Sequence, residues 1–103
     1  MLNLNEDTFY DLVEKEEKPV VIDFYGDWCP PCRVLAPKFV EWGETYKDKA
    51  VFAKANIDDV HNLAIEYRIS AIPTIIAFKD GKEAKRWLGI PNEKDLAEFL
   101  EKE

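Results

Sequence analysis

Val20-Val21-Ile22-Asp23-Phe24-Tyr25-Gly26-Asp27-Trp28-Cys29-Pro30-Pro31-Cys32 decides how the rest of the chain is read. Its first six residues are β-branched or aromatic with one carboxylate among them, bounded by Pro19 and Gly26. That is the pattern of a strand buried on both faces. Residues 30–47 follow, with Val34, Leu35, Phe39, Trp42 and Tyr46 at helical intervals. Pro30 and Pro31 suit a first helical turn, and Pro37 inside predicts a kink. A Cys-x-x-Cys pair therefore stands where a buried strand turns into a helix.

That placement has chemical consequences. Residues i and i+3 of an opening turn share a face, at a separation a disulfide tolerates. Cys29 falls at the helix N-terminus, where the dipole and free N–H groups favour a thiolate. The thiolate attacks disulfides, so Cys29 reads as nucleophile; Cys32, one turn inward, reads as the resolving thiol. Two other readings compete. Zinc wants four ligands, whereas the chain has two Cys and one His, and His61 falls in a different helix; a cluster bridged between two chains stays open. A pair of buried, inert cysteines is the other, but the flanking prolines predict that at least one stays accessible.

Outward from this stretch, Asn5 predicts the cap of a helix over about 6–16, ended by Lys18-Pro19. Residues 14–18 form a dense charge run, read as a solvated helix end. Ala50–Ile57 reads as a second buried strand, and Val60–Tyr67 as a helix capped by Asp58 or Asp59. Thr74–Lys79 and Ala84–Leu88 flank Asp80-Gly81, a hairpin signal. Asn92 opens a last helix with apolar face Leu96, Phe99 and Leu100. A short first strand at Leu2–Leu4 completes the order. Alternating strands and helices give a parallel portion with an antiparallel hairpin at its edge. The expected fold is α/β, a four- to five-stranded mixed sheet flanked by four helices, in one domain over 1–103.

The chain has 103 residues, 47% hydrophobic and 34% charged, with net charge −7. An acidic surface argues against nucleic acid or anionic membrane as main partner. No apolar run approaches the roughly 20 residues of a membrane helix. The first residues lack a basic and then apolar leader, so a cytoplasmic location is expected. Two cysteines three positions apart are a poor staple.

Beyond this bottom-up reading, the sequence resembles the thioredoxin family over nearly its whole length. The resemblance is carried by Val21–Cys32, Ala36-Pro37, Phe52–Asp58, Ile69-Ser70-Ala71-Ile72-Pro73-Thr74, Phe78-Lys79-Asp80-Gly81 and Leu88-Gly89. It implies a thioredoxin-like fold and a protein-disulfide reductase working through a reversible Cys29–Cys32 disulfide, with no cofactor and no metal. On its residues alone, Asp23 reads equally as a structural or a functional buried carboxylate; burial raises its proton affinity either way. The resemblance makes it the proton acceptor for Cys32. Lys54 alone reads as an exposed strand-end lysine, and by resemblance as the charge that tunes Asp23. The resemblance also implies a cis bond at Pro73, presenting the Ile72 backbone to an extended substrate. Trp28, Pro30, Ile72, Gly89 and Ile90 then form an apolar docking rim. Trp42 and Trp87 are expected to pack in the core. Implied partners are disulfide-containing proteins and a flavin- or ferredoxin-dependent reductase, met by a monomer.

Two departures from the family stand out. Pro30-Pro31 replaces the commoner Gly-Pro and leaves only the Cys32 and Arg33 amides for the thiolate, while the Arg33 charge acts in the opposite sense. Tyr25-Gly26 replaces Trp-Ala and reads as a packing variation. An oxidant or isomerase using the same residues, and a non-catalytic binding module of the same fold, are the alternatives.

Overall fold

Six residues that pack equally well on both sides, Val20–Tyr25, form the central strand of a five-stranded sheet. The computed structural model describes residues 1–103. Its elements are β1 (Leu2–Asn3), α1 (Glu6–Lys15), β2 (Val20–Tyr25), α2 (Pro30–Thr45), β3 (Val51–Asn56), α3 (His61–Glu66), β4 (Thr74–Lys79), β5 (Lys82–Leu88) and α4 (Glu93–Lys102). Strand order is β1-β3-β2-β4-β5. β1 and β2 run parallel to β3, and β4 runs antiparallel to both β2 and β5. α2 runs through Pro37 as one helix.

Side chains alternate across β2, so two cores form. Ile22 and Phe24 join Phe9, Val13, Leu63, Ile76 and Phe78 beneath α1 and α3. Val21 joins Leu35, Phe39, Trp42, Ile75, Trp87, Leu96 and Leu100 beneath α2 and α4. Each fully buried side chain of this size contributes about 1.5–3 kcal/mol. Trp42 and Trp87 both lie in the second core.

The hairpin turns on Asp80 (φ 54°) and Gly81 (φ 80°). Two positive φ angles in a two-residue loop match the twist of the flanking strands, which is why Asp-Gly fits there. The turn is tight enough that β5 starts at Lys82, paired with Lys79, rather than at Ala84.

Capping follows the sequence at two helices and departs from it at a third. Asn5 Oδ1 accepts from the Thr8 amide at 2.8 Å and Thr8 Oγ1 accepts from the Asn5 amide at 2.8 Å, closing a reciprocal box. Asn92 Oδ1 accepts from the Lys94 amide at 2.8 Å. At α3, neither Asp58 nor Asp59 is the cap; Val60 holds that position. The reason lies one turn earlier. Asn56 takes the Asp58 amide on its side chain and the Asp59 and Val60 amides on its carbonyl, which places both aspartates in the turn before the helix. The opening of α3 is satisfied from α1 instead: the Glu6 carboxylate accepts from the Asn62 backbone and side-chain amides at 3.1 and 3.2 Å.

Candidate active site

β2 delivers the chain to the turn Gly26-Asp27-Trp28, and Cys29 caps the helix that follows. Pro30 and Pro31 occupy the first helical positions, where a missing N–H costs nothing. Cys29 and Cys32 are joined in a disulfide, their Cα atoms 5.2 Å apart. The Cys32 amide points at Cys29 Sγ from 3.2 Å, so the sulfur takes the place of a capping oxygen. The Arg33 amide is spent on the Cys29 carbonyl at 3.2 Å. One amide, not two, therefore faces the sulfur, because the helix begins its own ladder at Arg33. The Arg33 guanidinium lies 5.8 Å from the Trp28 ring centroid.

Both cysteines are buried, Cys29 at 5% exposure and Cys32 at 4%. That corrects the expectation that Pro30-Pro31 would keep one of them open. The cover comes from another part of the chain. The Ile72-Pro73 bond is cis, and the Ile72 carbonyl oxygen sits 3.7 Å from Cys29 Sγ. Thr74 Oγ1 donates to the Ala71 carbonyl at 2.6 Å and the Gly89 amide to the Pro73 carbonyl at 2.8 Å, which pins this loop to the end of β5. Around it Trp28 is 91% exposed, Pro30 and Ile90 are exposed, and Ile72 and Gly89 are half-buried. Trp28 and Pro30 flank Cys29 in the chain and the Ile72 carbonyl lies beside its sulfur, so apolar residues border the outer sulfur.

Gly26 leaves room for a side chain from another part of the chain. A Cβ there would come within 2.6 Å of Ile72 Cδ1, so the glycine is what lets Ile72 lie down against the turn. Asn56 Nδ2 donates to Asp27 Oδ1 at 2.9 Å, tying the redox turn to the end of β3. Neither contact was legible in the sequence reading; the only local signal was the Asn-x-Asp at 56–58, typical of a side-chain-closed turn.

Asp23 lies on the α2 side of β2 at 4% exposure. Its Oδ1 has no hydrogen-bond partner. Burial pushes its carboxyl from the ordinary 3.8 up to about 7, and the Lys54 charge pulls it partly back. Lys54 is its register partner on β3, half-buried in mid-strand rather than exposed at a strand end. A cavity of about 70 Å³ is lined by Asp23, Cys32 and Lys54 together with Tyr25 and Met1. Ala36, Phe39 and Val40 complete its lining, so the space is mostly apolar. The geometry thus sets a protonatable carboxyl beside the inner sulfur and the Ile72 carbonyl beside the outer one. His61 opens α3, away from both.

The chain matches the family model described as Thioredoxin over residues 1–102. It is 44% identical over 94 residues to "Thioredoxin, mitochondrial" of Mus musculus, covering 91% of this chain and 57% of that protein. It is 40% identical over 99 residues to "Thioredoxin M-type, chloroplastic" of Chlamydomonas reinhardtii, covering 96% and 71%. The chain thus spans little more than half the length of the mitochondrial relative. A solved structure titled "Initial Structural Analysis of Plasmodium falciparum thioredoxin" superposes with a TM-score of 0.88 at 30% identity, covering 99% of this chain and 98% of that one.

Proposed function

This chain belongs to the thioredoxin family, and from that premise we propose that it is a protein-disulfide reductase, a cytoplasmic monomer built as one domain over residues 1–103. The observation that carries the proposal is the Cys29–Cys32 disulfide at the mouth of α2, with the unpartnered Asp23 carboxyl behind it. The Trp-Cys-Pro-Pro-Cys sequence is the variant of the family motif through which it works.

In the dithiol form, the Cys29 thiolate attacks one sulfur of a substrate disulfide. A mixed disulfide forms and the substrate's other sulfur leaves as a thiolate. Asp23 takes the proton of Cys32 through the shared cavity; a carboxyl near 7 is matched to that task at neutral pH. The Cys32 thiolate then attacks Cys29 Sγ, releases the second substrate sulfur and closes the Cys29–Cys32 bond. Two electrons have passed to the substrate. Two electrons and two protons from a reductase, flavin- or ferredoxin-dependent, restore the dithiol. Trp28, Pro30, Ile72, Pro73, Gly89 and Ile90 bind the substrate as an extended segment along the Ile72 backbone.

The scarcity of donors around Cys29 favours reduction over oxidation, and the Arg33 charge acts against it. Strong oxidants of this chemistry stabilise their reduced form. Pro30 and Pro31 donate nothing and the Arg33 amide is engaged elsewhere, which leaves the thiolate one amide. A monomer is supported by the sheet edges: β1 has two residues, and β5 exposes Lys82, Glu83 and Lys85. The cytoplasmic placement rests on cysteine usage, since both cysteines belong to the redox pair.

Insulin disulfide reduction by dithiothreitol tests the proposal. Cys29→Ser is expected to abolish catalysis, and Cys32→Ser to accumulate mixed disulfides with the substrate. Full activity in Cys29→Ser would remove the assignment.

A further inference from the structure

Asn3, Lys54, Asp23 and Ile75 form one row across β1, β3, β2 and β4. Residues paired across strands share a face, as does a residue two positions further along. Tyr25 therefore stands on the same face as Asp23 and diagonal to Lys54. The lysine has two places to put its charge: the carboxylate opposite it, or the tyrosine ring beside it. Its Nζ lies 5.5 Å from the Tyr25 ring centroid, within cation–π range. The ion pairs of the molecule join Lys15 to Asp11, Lys47 to Glu44 and Arg86 to Glu83; Lys54 makes none. Asp23 Oδ1 is left without a partner. The Tyr25 hydroxyl in turn accepts from Asn3 Nδ2 at 3.2 Å, which holds the ring from its far end.

We propose that Tyr25 is a positioning residue whose ring holds the Lys54 ammonium out of contact with Asp23, and so sets how tightly that carboxylate keeps a proton. The groups that face Asp23 are few enough for this to matter: Cys32 from α2, Lys54 from β3, Tyr25 on its own strand and Met1 with the chain's first amino group, with Ile75 from β4 and apolar side chains otherwise. A lysine released from the ring would swing to the carboxylate opposite, because no other acid is paired with it. In the Tyr-Gly departure from the family's Trp-Ala, Gly26 makes room for Ile72, while Tyr25 keeps an aromatic ring against the lysine, a weaker one than tryptophan.

The proposal deepens the proton-acceptor role given to Asp23 and rests on it for any effect on turnover. Its own test does not. The Asp23 carboxyl is followed by ¹³C chemical shift through a pH titration of the oxidised protein. Tyr25→Leu is expected to lower the midpoint, a loss of proton affinity of roughly two- to fivefold for a ring contact of this kind. In a Lys54→Met background the same substitution is expected to change nothing. Tyr25→Trp, which offers the lysine the strongest ring, is expected to raise the midpoint. An unchanged midpoint in Tyr25→Leu, a shift that survives Lys54→Met, or a midpoint in Tyr25→Trp that stays or falls, overturns the proposal. Should Tyr25→Leu fail to fold, Tyr25→Trp decides alone. A shifted midpoint in a protein whose turnover ignores Asp23 breaks the proton-acceptor role and leaves this inference standing.

Discussion

Beneath α1 and α3 the sheet packs a cluster of twelve apolar side chains, with Thr74 the buried polar one on that face; beneath α2 and α4 it packs eleven, and sets the ionisable Asp23 and Cys32 beside them. On the first side Phe9 meets Phe24, Tyr67 and Phe78 with ring centroids 6.5, 5.8 and 5.3 Å away, two of the three edge-on. On the second, the row that continues Val21 and Tyr25 carries a carboxyl oxygen with nothing to bond. The first face gives up nothing to chemistry. The second gives up stability in order to hold a proton beside a sulfur. The same strand serves both, since alternate residues of β2 point to opposite layers.

That contrast is open to attack at three points. The largest effect is expected from Phe9→Ala, which opens the apolar face at its centre. Truncating a fully buried phenylalanine costs about 3–5 kcal/mol. Urea unfolding should show that loss, while the alkylation rate of Cys29 in the folded, reduced variant stays at the wild-type value. A slowed alkylation would mean the two faces are not separable.

Next comes Asp23→Asn. The Asp23 carboxyl titrates at about 7 in the folded chain against an ordinary 3.8, so between those values the native state holds a proton that the unfolded chain has released. Stability therefore falls as pH rises through this window and levels off above it. The full span amounts to about 4 kcal/mol as an upper bound. Asp23→Asn should be more stable than wild type at alkaline pH by up to that amount, with the gain shrinking to nothing towards pH 3.8. Its turnover at neutral pH should be slower. Thermal unfolding across the pH range and the insulin assay read the two effects; a gain that persists in acid, or an unchanged rate, contradicts the division of labour drawn here.

The smallest effect is expected from Gly26→Ala. The added methyl displaces Ile72 Cδ1, the far end of a side chain, at an off-rotamer cost of about 0.5–1.5 kcal/mol. Ile72 moves towards the docking rim, so KM for a protein disulfide should rise by a few-fold with kcat kept. A fall in kcat at constant KM would place the contact in the chemistry instead of in docking.

What was legible in the sequence was local. Val20–Tyr25, Asp80-Gly81, Asn5 and Asn92 act on their immediate neighbours, and each took the structure its own chemistry dictates. The Cys-x-x-Cys pair was legible for the same reason, because strand, turn and helix are contiguous there. What escaped depends on pairs distant in the chain. Glu6 serves Asn62 across 56 positions, and Ile72 covers Cys29 across 43. Propensity rules saw two aspartates before α3 and assigned them the cap; they had no means of seeing that Asn56 had already taken the amides. Lys54 looked like a surface lysine because its neighbours on β1 and β2 are brought to it only by the sheet.

Under the proposed reductase role, the withdrawal of Cys29 behind the Ile72 carbonyl would act as a gauge of shape. A rounded, tightly knit client would offer its cystine on a convex contour that meets the loop before it meets the sulfur. A frayed or unwound stretch would slip in edgewise and lay its sulfur alongside. Clients would then be sorted by how far they have come undone, before any electron moves.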